Sequence, residues 1–115
     1  MVATVLTTFP EEGIVQADWI GALANAESGN SARLARWTSK SAHATGTFGA
    51  GGAVAIEGSN DGSNWFALTK EDGSAVISLT SANPGAGILE NTLFVRPRVT
   101  AGDGTTALRV VIVGA

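Results

Sequence analysis

The chain has 115 residues, enough for one domain with a modest core and too few for a second. Charged residues make up only 15% of it, and its formal net charge of −3 comes with no massed basic segment, so a binder that neutralises nucleic-acid phosphates is excluded. With no cysteine there is neither a disulfide framework nor thiolate chemistry, and packing and backbone pairing alone must hold the fold.

The first residues carry no basic region and no long apolar stretch, which predicts neither standard export nor a membrane anchor. Residues 1–13 read as an N-terminal arm, β-prone through Val5, Leu6 and Phe9 and turning at Pro10-Glu11-Glu12-Gly13. Such an arm adds a strand to its own sheet or reaches onto a neighbouring subunit; in the second case Val5, Leu6 and Phe9 are interface residues. Residues 14–115 form the domain proper. A strand is predicted at 14–20, and the Ala-rich stretch 21–30 develops no amphipathic period before Gly29-Asn30 and reads mostly as loop. Two further strands are expected within 32–38 and 41–48, ahead of a flexible turn at Gly49-Ala50-Gly51-Gly52.

In the second half the turns suggest registers. A two-residue turn at Asp61-Gly62 would place Glu57 on the face that Phe66 and Leu68 need for burial. Shifting the register by one restores Ile56 opposite Leu68, so a longer loop or bulge is expected across Ser59–Asn64. Asp72-Gly73 at a hairpin tip pairs Leu68 with Ile77 and Phe66 with Leu79. A short strand is expected at Ile88–Glu90. Asp103-Gly104 reads as a type I′ hairpin tip that sets Val99 opposite Leu108, Pro97 opposite Val110 and Val95 opposite Ile112. The other face of that hairpin would carry Arg96, Arg98 and Arg109, with Arg98 opposite Arg109. Like charges so opposed need something negative between them. Glu57, Glu90 or a carboxylate on a partner subunit would serve, and in the last case the three arginines belong to an interface. About eight strands with frequent turns predict an all-β fold: a single antiparallel β-sandwich, jelly-roll or immunoglobulin-like, with a small barrel as the alternative.

No constellation points to catalysis, metal or cofactor. His43 is the sole histidine and sits in a predicted strand, with no G-x-S-x-G elbow to supply a nucleophile. Asp61 is the one carboxylate of its Asn/Ser-rich loop, a composition that β-turns also require. Glu57 and Glu90 are available as a carboxylate pair, but salt bridges to Arg96 or Arg98 account for them equally well. Gly49–Gly52 lacks the Lys-Ser/Thr and the helix of a phosphate loop. Trp19, Trp37 and Trp65 are core residues or contact anchors, with core the default.

Two stretches carry a resemblance: E-G-S-N-D-G-S-N-W at Glu57–Trp65, and R-P-R-V-T-A-G-D-G-T-T at Arg96–Thr106. Together they resemble the small β-sandwich virion structural proteins of tailed bacteriophages, often regarded as head or capsid decoration proteins. The likeness spans about residues 30–113 and leaves the arm unmatched; the first element alone also occurs in carbohydrate-binding sandwiches. The resemblance implies a protein made in the host cytoplasm that binds the major capsid protein on the virion surface. It also implies a homo-oligomer, with a trimer favoured. A glycan-binding or adhesin module on a phage head or fibre is the alternative.

Overall fold

The structure is a computed structural model and describes residues 3–115, so Met1 and Val2 of the predicted arm lie outside the described residues. Nine strands and no helix are found among those residues. They are β1 (Val5–Glu11), β2 (Ile14–Leu23), β3 (Ala32–Arg33), β4 (Lys40–Thr47), β5 (Ala53–Ser59), β6 (Phe66–Ala67), β7 (Gly85–Ile88), β8 (Phe94–Ala101) and β9 (Ala107–Gly114). All pairings between strands are antiparallel, in a first sheet ordered β1-β2-β9-β4-β7 and a second ordered β3-β8-β5-β6. The two sheets enclose one core, and the chain is a β-sandwich.

Period-2 alternation supplies that core. In β2, Val15, Ala17 and Trp19 are fully buried, while Gln16 and Ile20 on the opposite face are not. From the second sheet, Val54 and Ile56 of β5 and Val95 and Val99 of β8 point inward to meet Leu108, Val110 and Ile112 of β9. Trp19 is the largest buried side chain, and its indole Nε1 donates to the Asn30 carbonyl at 2.8 Å. The loop predicted across 21–30 is real but shorter, because β2 runs on to Leu23. Its turn carries Ala26 in the left-handed region at φ 68°.

The Asp103-Gly104 hairpin is not formed. β8 pairs with β5 and β3, whereas β9 lies between β2 and β4 in the other sheet. The predicted faces are right and the predicted partners wrong: Val95, Pro97 and Val99 do share a buried side with Leu108, Val110 and Ile112, but across the core rather than along a ladder. Neither Asp103 nor Gly104 adopts the positive φ that a type I′ turn demands. Asp103 instead folds the corner through its side chain, accepting from the amides of Thr105 at 2.8 Å and Ala50 at 2.8 Å. Thr106 Oγ1 accepts from the Asp103 amide and donates to the Phe48 carbonyl, tying this corner to the Gly49–Gly52 turn.

The other two registers hold where local bonding fixes them. Gly58 pairs with Phe66 and Glu57 with Ala67, and the Leu68 amide donates to Ile56 at 2.8 Å, which is the shifted register with a loop across Ser59–Asn64. Around Asp72-Gly73, Thr69 pairs with Val76 and the Ile77 amide donates to Leu68. The expected Phe66–Leu79 pair does not form: Leu79 pairs with Val54 and Phe66 is exposed. The chain leaves β5 after Leu68 to run along β7, where Lys70 bridges Ile88, and returns to β5 at Leu79. This crossing closes one side of the sandwich.

Candidate interaction surface

The predicted arm folds onto its own sheet. The two-residue turn at Glu12-Gly13, with Gly13 at φ 79°, returns the chain so that Val5 lies opposite Trp19, Leu6 opposite Asp18 and Thr7 opposite Ala17. β1 is nevertheless poorly integrated. Apart from half-buried Val5, every one of its residues is exposed, including Thr7 on the core-facing side, so nothing in the second sheet covers it. Leu6 is 50% and Phe9 67% exposed, and no described strand pairs with the far side of β1. The Phe9 ring leans on Trp37 with centroids 6.0 Å apart.

The three arginines do not share a face. Arg96 and Arg98 lie on the outside of the second sheet, where Glu57 serves both. Arg96 Nε donates to its carboxylate at 2.9 Å, and Arg98 Nη1 stands 3.6 Å from the other oxygen. The Arg96 guanidinium also lies 4.0 Å from the centroid of Trp65. Arg109 projects from the outside of the first sheet and forms a two-pronged pair with Asp18. The hydrogen bonds from Arg109 hold the Asp18 carboxyl below its ordinary pKa against the opposing effect of burial. Of the negative groups expected to relieve the arginines, Glu57 is therefore used for two. Glu90 is not: burial disfavours its charge, but the amide and hydroxyl of Thr69, each at 2.7 Å, outweigh that and keep its pKa low.

Sequence reasoning missed Asp18, although its place between the outward positions Gln16 and Ile20 was readable from alternation. Leu6, Asp18 and Ile20 now form one strip on the outer face of β1 and β2, with Arg109 beside it and Ile20 55% exposed. Of the predicted interface set, Leu6 and Arg109 are brought together, and Arg96 and Arg98 lie on the other side of the molecule. Lys40 was also missed. Its side chain is buried at the start of β4, with Nζ bound to the carbonyl of Trp37 and to Asn91 Oδ1, and desolvation lowers its pKa.

The remaining candidates are occupied by structural work. Asp61 Oδ1 accepts from Ser59 Oγ and from the amides of Ser63 and Asn64, while Oδ2 accepts from Asn64 Nδ2. Those bonds, the Asn64 amide foremost, pull its pKa far down. His43 is an exposed residue of β4 beside Ser41 and Thr45. Trp19 is in the core, Trp37 is half-buried under Phe9, and Trp65 is half-buried under Arg96, so the tryptophans form no common platform. A cleft of about 400 Å³ between Lys70, Glu71, Asp72, Asn83 and Gly85 carries both signs of charge and no aromatic ring. No family model matches the chain, and neither a curated protein nor a solved structure matches it.

Proposed function

We propose that this chain is a bacteriophage virion structural protein, a capsid decoration protein that binds the outer capsid surface and stabilises it. The observation that carries the reading is β1, a strand that pairs with no described strand on one edge and has side chains exposed on both faces. An ordered strand that buries so little in its own core is best accounted for by a second chain that pairs with it, since main-chain hydrogen bonding along an edge supplies affinity without a pocket. The resemblance carried by the motifs at Glu57–Trp65 and Arg96–Thr106 supports the major capsid protein as that partner and the virion surface as the place.

The test is binding of the purified chain to capsids that lack it, followed by heating. Saturable binding at a fixed stoichiometry, with a raised disruption temperature, is expected. Absence of binding, with retention on particular glycans of an array, would discard this reading in favour of the adhesin module.

A further inference from the structure

We propose that β1 joins two copies of this chain about a twofold axis, each β1 pairing antiparallel with the other so that the two first sheets run on as one. This rests on the reading of β1 as a docking element and names its partner in the free protein.

The closure follows from where the edges are. At the opposite margin of the first sheet, β7 is already covered: Lys70 bridges Ile88, the Glu71 amide donates to Gly87 and the Leu89 amide donates to Thr69. The second sheet ends in β3 and β6, each only two residues long. No other described edge is long enough to receive a neighbour's β1, so a head-to-tail ring built through this strand has no acceptor. A self-complementary contact needs none.

The strand is also suited to pairing with itself. Protein edges are normally blunted by charge, proline or a bulge. In β1 all three guards sit at one end: Pro10, Glu11 and the register shift between Thr8 and Glu11. Val5 to Phe9 is uncharged. Pairing centred on Thr7 sets Val5 opposite Phe9 and Leu6 opposite Thr8, and leaves Glu11 and Glu12 beyond the ladder, so two chains of net charge −3 meet without opposed carboxylates. Exposed Leu6, Phe9 and Ile20 extend the contact past the backbone. A ladder this short falls below the roughly 1,000 Å² of a standing interface, so a concentration-dependent dimer is expected.

The cysteine-free chain gives a direct test. Residues directly opposed across an antiparallel pair have Cα atoms about 4.5–5.5 Å apart, within reach of a disulfide. In the full chain, Thr7→Cys is expected to cross-link under mild oxidation roughly tenfold or more faster than Ser74→Cys, an exposed position remote from β1, because pairing raises the local thiol concentration. Light scattering of the unaltered chain should show its mass rising from one copy to two with concentration. Monomers at every concentration, or equal cross-linking of the two variants, would overturn the twofold. If the chain is monomeric yet loses capsid binding on Leu6→Lys, the docking reading survives alone. If it dimerises and never binds capsids, the twofold survives and the virion reading falls.

Discussion

Glu57 is 9% exposed and stands between two arginines on adjacent positions of one strand face. Its carboxylate resolves a repulsion that β8 would otherwise carry, and it also holds Arg96 over Trp65. Glu57→Gln keeps the shape and removes the charge-assisted bonds. Urea denaturation should show a loss of about 1–3 kcal/mol, whereas Glu12→Gln, in the exposed turn, should stay within about 0.5 kcal/mol of the unaltered chain. Asp103 offers a pH test. Bonds from Thr105 Oγ1 and the amides of Ala50 and Thr105 lower its pKa from 3.8 to about 2 in the folded chain. A depressed carboxyl pKa stabilises the fold above the unfolded value, and the contribution fades as pH falls from 3.8 through about 2. Asp103→Asn should therefore be less stable than the unaltered chain near neutrality, and the two melting temperatures should converge as pH approaches 2.

At the level of elements, alternation was the reliable signal and turn chemistry the ambiguous one. Which residues of β8 and β9 face inward was legible, because a side chain's face depends only on the strand's own period. Which strand lies beside which was not: an Asp-Gly pair turns the chain equally well between neighbours of one sheet and between opposite sheets. The Ile56–Leu68 register was legible because a misplaced Glu57 penalised the alternative. The strip formed by Leu6, Asp18 and Ile20 was hidden for the same reason as the ladder, since it depends on β1, β2 and β9 lying side by side. Packing between elements adds demands that no pattern carries. A Cβ on Gly29 would lie 2.4 Å from Trp19 Cδ1 and 3.0 Å from Pro97 Cδ, both in the tightly filled interior. Gly29→Ala should cost about 1–3 kcal/mol, with a red shift of tryptophan emission as the Trp19 ring is displaced.

For the molecule as a whole, the division between a dense sandwich and a lightly anchored β1 would, on the function proposed above, separate stability from docking. Leu6 is half exposed, so Leu6→Lys should change unfolding free energy by no more than about 0.5 kcal/mol while abolishing capsid binding and dimer formation. Melting curves and the binding assay, run on one preparation, check both halves of that expectation. Most pairings join residues far apart in sequence, as Asp18 and Val111 are in the ladder of β2 with β9. Such topology is slow to form because long loops must close before contacts reward them.

The place of β9 has a consequence for biosynthesis. Translation delivers β2 and β4 before the strand that must lie between them, and the ribosome holds β9 back until after β8 has emerged. During that interval the facing edges of β2 and β4 are open. Any delay before β9 has cleared the ribosome would lengthen the window in which the nascent chain depends on chaperone protection, and the native sheet can close only once that strand is free.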